Sequence, residues 1–216
     1  MKKILLFLLC FSVWPVFAQN AIPFCMSMTT EVKINTRVTT PKYNTFYSRS
    51  EFLRKAKQKP NSYTLGLTVF EMAVDTKTIP ALEERFGQIC VGISELDIDL
   101  YYPDITVYID KKYNPSSCEY QVIKDHENYH VRVAEKALPF FKKDVEKAAT
   151  KALTRLSPKI VYSEEDVQPT LKRMAETVME SIKPVIRHIN KKLKEKNMAI
   201  DTKEMYEATS KMCKHW

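Results

Sequence analysis

An α+β fold is predicted for this 216-residue chain: a small antiparallel sheet from the N-terminal half, packed on long antiparallel helices from the C-terminal half. Two observations predict it. Alternation of apolar and polar residues, the mark of half-buried strands, is confined to the stretch before about residue 115. Beyond it, apolar residues recur every three or four positions almost to the end, as amphipathic helices require. Strands first and helices last is the order of an α+β domain rather than of alternating βαβ units.

Residues 1–18 read as a secretory signal, with Lys2 and Lys3 as the basic start, residues 4–13 as the apolar stretch and Val16-Phe17-Ala18 as the cleavage site before Gln19. The apolar stretch is too short to span a bilayer, and no later run approaches about 18 apolar residues. The expectation is a soluble exported protein, in the bacterial periplasm or outside the cell, with no membrane anchor in the mature chain. Residues 19–216 are expected to form a single domain, strand-rich over 19–115 and helical over 116–216. Four cysteines remain, Cys25, Cys90, Cys118 and Cys213, and two disulfides are the simple expectation in that compartment. Three pairings are open; a metal site or free thiols are the lesser alternatives.

Along the chain, residues 25–40 alternate loosely (Val32-Lys33-Ile34-Asn35) and predict a strand. Ser48 and Glu51 form a capping box ahead of Phe52, Leu53 and Ala56, so a short helix should follow and end near Pro60. Residues 63–74 read as a strand through Gly66, and residues 80–86 as one or two helical turns. Residues 89–101 and 105–110 alternate, and Tyr102-Pro103-Asp104 between them is turn chemistry, which predicts an antiparallel hairpin.

After Cys118 the pattern is helical. Ser116 and Glu119 offer a capping box, and Val122, Ile123, His126, His130, Val133, Ala134 and Ala137 share one stripe. A second helix, interrupted or bent near Pro139, is expected to run to about Leu156. Another follows over 164–196 with a kink at Pro184, and Asp201 with Glu204 caps a last helix ending near Cys213.

Composition excludes some functions. Only three glycines occur, and they are dispersed, which removes phosphate-cradling loops and dinucleotide fingerprints. The net charge of +8 falls to +6 once Lys2 and Lys3 leave with the signal. Most of the excess lies after residue 140, interleaved with acids, as on a solvated helix face; no nucleic-acid module accompanies it, and none is expected as a partner.

The chemistry sits in His126-Glu127-Asn128-Tyr129-His130, the pattern HExxH. Four residues on a helix put both imidazoles on one side, within reach of one ion, and zinc suits that pair. Glu127 lies about 100° around the helix, off the ligand line yet near enough to take a proton from water at the metal. Zinc there would lower the pKa of a water toward about 7 and polarise a carbonyl, so hydrolysis of an amide bond is the reaction implied.

These five residues, after a strand hairpin and an export signal, resemble the zincin metallopeptidases and, more loosely, bacterial predicted secreted zinc-dependent proteases. The resemblance implies a zincin-like fold and a peptide or protein substrate. It also implies His126 and His130 as ligands, Glu127 as general base, and the strand over 105–110 as an edge where an extended peptide pairs. It does not supply the third ligand. Val133 and Lys136 stand where metzincins have glycine and histidine, and the glutamate motif of thermolysin-like enzymes is absent.

Geometry ranks the third ligand instead. If the helix from Ser117 meets an antiparallel return after a turn near residue 160, His126 lies level with Lys196. Glu204 is then the first candidate, His188 the next, and Glu146 the last, since it is reachable only if Pro139 reverses the chain. Tyr206 is a candidate oxyanion donor. Each has a bland explanation: Glu204 as a capping residue, His188, Glu135 and Asp144 on solvent faces. The alternatives to an enzyme are an exported binding or assembly domain, with a structural metal or none, and a basic module binding an anionic envelope polymer.

Overall fold

The computed structural model describes residues 25, 28–57, 64–214 and 216. The expected signal, residues 1–18, lies outside the described residues. The architecture is α+β, with most strands before residue 110 and the long helices after 117.

The strands form two sheets rather than one, and neither is purely antiparallel. In the first, β5 (Gln88–Tyr101) is central. It pairs in parallel with β1 (Glu31–Arg37) and antiparallel with β4 (Ala73–Arg85) and the short β7 (Lys159–Val161). In the second, β6 (Ile105–Ile109) is central, parallel to β2 (Lys42–Asn44) and antiparallel to β3 (Gly66–Phe70).

Two expectations fail here for the same reason: local chemistry yields to pairing. Residues 80–85 carry helix-forming Ala81, Leu82, Glu83 and Glu84 behind a proline, yet they extend β4 and pair with residues 88–93 of β5. Pro80 is accommodated on an outer strand at a register shift, where its missing N–H costs no ladder bond. The hairpin closes through Phe86 and Gly87, both at positive φ, as a two-residue primed turn requires. The expected hairpin of 89–101 with 105–110 is absent. The turn at 102–104 passes the chain from one sheet to the other, and Tyr102, fully buried, fixes the crossing by donating to the Ala134 carbonyl. Since β6 is central, it is not the free edge expected of it; β3 and β2 are the edges of that sheet.

The helices follow the apolar stripes closely. The Ser48 and Glu51 capping box opens α1 (Arg49–Lys55), which buries Phe52 and Leu53. Ser117, one residue later than expected, caps α2 (Cys118–Leu153) by accepting from the Tyr120 N–H. Pro139 does not interrupt this helix: Leu138 and Phe141, both buried, hold it against the core on either side. After a 3-10 turn at Glu164–Asp166, α3 (Val167–Met198) continues through Pro184, flanked by buried Ile182 and Ile186, and packs against α2. The last helix is α4 (Lys203–Ser210).

The core lies between the sheets and these two long helices, with Leu96, Ile98 and Leu100 of β5 against Val145, Ala149, Ile182 and Ile189. Disulfides join Cys25 to Cys90 and Cys118 to Cys213, which settles the pairing left open above. Among the described residues no helix is long and apolar enough to cross a membrane.

Candidate metal centre

His126 and His130 project from one side of α2, one turn apart, with their rings 5.0 Å between centroids and nearly perpendicular. Their Nε2 atoms are 3.3 Å apart. Asp201, in the link between α3 and α4, completes the group: its Oδ1 lies 2.9 Å from each of these nitrogens. Two imidazoles and one carboxylate so placed are a donor set that zinc accepts. The separation of the nitrogens fits as well, because ligands about 2.0 Å from a tetrahedral ion stand about 3.3 Å from one another.

A second layer fixes the histidines. Asn197 on α3 donates its Nδ2 to the Leu193 carbonyl, which leaves its Oδ1 facing His130 Nδ1 at 2.7 Å. Nδ1 of neutral His130 therefore carries the proton, and the Nε2 lone pair points at the shared centre. Burial works against a charge on His130, but the Asp201 hydrogen bond and the nearby Glu127 and Asp201 charges outweigh it, raising its pKa to about 8. Burial likewise opposes a charge on Asp201, and the two histidines overcome it, holding the carboxyl far below the usual range.

Glu127 occupies a slot of its own, 1 % exposed. Thr68 of β3 donates to its Oε2 at 2.7 Å, and the space for its carboxylate exists because residue 66 has no side chain: a Cβ there would stand 2.7 Å from Oε1. Burial raises the Glu127 pKa, opposed by His130, Thr68 and His126. Tyr206 of α4 is also buried. Its hydroxyl donates to Asp201 Oδ1 at 3.1 Å, and its ring lies 5.2 Å from that of His126. Burial first, then the Asp201 and Glu127 charges, push the phenol well above its usual range, so it remains a donor.

Two grooves meet at the centre. One, of about 540 Å³, runs between β3 and the end of α3, lined by Thr68, Val69, Leu193, Asn197 and Asp201. The other, of about 460 Å³, lies beyond His126 and is lined by Val122, Tyr129, Ile200, Met205 and Met212.

The structure thus gathers His126, His130, Glu127 and Tyr206 around one point and leaves out all three candidates for a third ligand. Glu204 is exposed, and its carboxylate turns to its own backbone and Thr202. His188 and Glu146 are exposed on α3 and α2 and do not belong to the group. Two details explain the difference. His126 meets residue 201 rather than 196, so the return helix is offset by more than a turn from the level assumed. The cap of α4 is Thr202, whose side chain accepts from the Met205 N–H, and this releases Asp201 from the capping role read for it. Asp201, Asn197, Thr68 and Gly66 were not marked by any local pattern as site residues.

No protein-family model, curated protein or solved structure matches the chain.

Proposed function

We propose that this protein is an exported zinc-dependent hydrolase, most simply a peptidase, with His126, His130 and Asp201 holding the metal and Glu127 as general base. The observation that carries the reading is the convergence of His126 Nε2, His130 Nε2 and Asp201 Oδ1 beside the buried Glu127. Two disulfides and a readable export signal accord with a protein that works outside the cytoplasm.

Zinc at this centre would supply Lewis acidity, lowering the pKa of water and polarising a carbonyl. The chain's own residues do the rest. Asn197 orients His130, and the Asp201 carboxylate would offset one of the two positive charges of a zinc ion held there. Glu127, whose carboxyl pKa is raised by burial, is the group beside the centre that accepts a proton from water and passes it to a leaving amine. Tyr206 brings a protonated hydroxyl to the same point, where it donates to developing negative charge. The free side of β3, along the larger groove, offers backbone groups to an extended peptide.

A second reading, a structural metal site without catalysis, is favoured by the near-complete burial of Glu127. One experiment separates them. Zinc-loaded protein is assayed on a quenched-fluorescent peptide library beside Glu127→Gln. Cleavage that chelator abolishes and Glu127→Gln lowers by several orders of magnitude is expected. Zinc binding with no cleavage supports the structural reading, and cleavage undiminished in Glu127→Gln removes the proposed base.

A further inference from the structure

Asp201 reaches the histidines from a short segment whose attachments are Ile200 against the core, the buried Thr209, and the groups around Tyr206, Thr64 among them. It lies in the link from α3 to α4, and α4 has only eight residues, of which Tyr206 and Thr209 are the buried ones. A helix that short does not persist in water without tertiary support. Two features supply it. Tyr206 is wedged between His126 and Asp201, touching both a ligand ring and the ligand carboxylate. Three residues past the end of α4, Cys213 is bonded to Cys118, the first residue of α2. Cys118 lies eight residues before His126, about 12 Å along the same helix axis. The C-terminal segment is therefore tied at both ends to the elements that carry the centre: to α3 at one end and to the start of α2 at the other.

We propose that residues 199–213 are a clasp on the metal centre, in which the Cys118–Cys213 disulfide and Tyr206 together hold Asp201 against His126 and His130. Metal affinity is then set by whether the clasp is closed. The proposal rests on the metal-site part of the reading above and does not depend on hydrolysis. Without the disulfide, α4 is free to lift, and Asp201 leaves with it while the histidines stay on α2. The apparent affinity falls in proportion to the closed fraction. Coupling is reciprocal: an ion that binds only the closed form must also protect the disulfide. The other disulfide, Cys25–Cys90, joins the N-terminal segment to β5 and holds none of these groups, so it serves as the control.

Zinc affinity of the oxidised protein, measured by competition with a chromophoric chelator, tests the clasp. Cys118→Ser/Cys213→Ser is expected to weaken binding by at least about tenfold, and Tyr206→Phe by about tenfold through loss of the hydrogen bond to Asp201. Cys25→Ser/Cys90→Ser should leave affinity unchanged. In the wild-type protein, where no variant has to fold, zinc should shift the redox equilibrium of Cys118–Cys213 in a glutathione buffer toward the disulfide, read by alkylation and peptide mass, and leave that of Cys25–Cys90 unaltered. Wild-type protein that binds zinc with no such shift at Cys118–Cys213, or a Cys118→Ser/Cys213→Ser variant that binds as tightly, overturns the clasp. Wild-type protein that binds no zinc overturns the metal-site reading itself.

Discussion

Replacing Gly66 by alanine tests the slot that holds Glu127. The φ of Gly66 is not positive, so alanine meets no backbone penalty there, and restriction of the unfolded chain alone would stabilise the protein by about 0.4–1 kcal/mol. Packing reverses the sign. The new Cβ would stand 2.7 Å from Glu127 Oε1, 2.8 Å from Glu127 Cγ and 2.8 Å from Ile123 Cγ2. Carbon contacts are comfortable from about 3.5 Å, so two buried side chains must each retreat by about 0.7 Å. Moving Glu127 that far stretches its bond to Thr68. Overpacking of this kind costs about 1–3 kcal/mol, and with two buried side chains displaced the central figure of about 2 kcal/mol leaves a net loss of about 1.3 kcal/mol after the entropic gain. With a urea slope of about 2–3 kcal/mol/M, the midpoint should fall by about half a molar. The assay is urea unfolding followed by far-UV circular dichroism on metal-free protein. A midpoint that stays or rises refutes the reasoning, because it means that the Glu127 side chain does not fill the space beside residue 66.

Two further outcomes follow from the same geometry. Thr68→Val removes the hydroxyl that satisfies Glu127 Oε2 and should destabilise by about 1–3 kcal/mol, whereas Thr68→Ser should retain most of the stability; urea unfolding of both variants checks this. Metal-free protein should lose stability on the alkaline side of neutrality. The His130 pKa is raised from 6.5 to about 8, so its contribution is fully present below about pH 6.5 and is lost as pH passes 8, amounting to about 2 kcal/mol. Glu127, also raised, acts in the same direction, while the depressed Asp201 matters only in acid. Unfolding in chelator between pH 6 and 9 measures the loss, and Asp201→Asn should flatten most of it.

The helical half was legible because its signals are local and periodic. Apolar stripes, such as that through Ile123, His130 and Ala134 on α2, and the capping boxes read at Ser116 and Asp201 depend on residues a few positions apart, and they placed α2, α3 and α4 within a few residues. The strands were found mostly as strands, but their partners were not. Nothing in residues 89–101 and 105–110 says that the turn between them leads into another sheet, since strand pairing depends on residues far along the chain. The same limit governs the site. His126, Glu127 and His130 form one local motif and were recognised as such. Asp201 and Asn197 join them only because α3 returns antiparallel at a particular offset, and Gly66 and Thr68 only because β3 lies over α2. A one-residue shift of the α4 cap, from Asp201 to Thr202, was enough to conceal the carboxylate that joins the two histidines.

Zinc titration of Asp201→Ala beside Glu204→Ala tests the metal centre most directly, with affinity and stoichiometry read by chelator competition. The wild type should bind one ion, Glu204→Ala should match it, and Asp201→Ala should lose more than the ~10–100-fold that a supporting residue costs. Equal binding by wild type and Asp201→Ala, or a loss confined to Glu204→Ala, would contradict the centre described above.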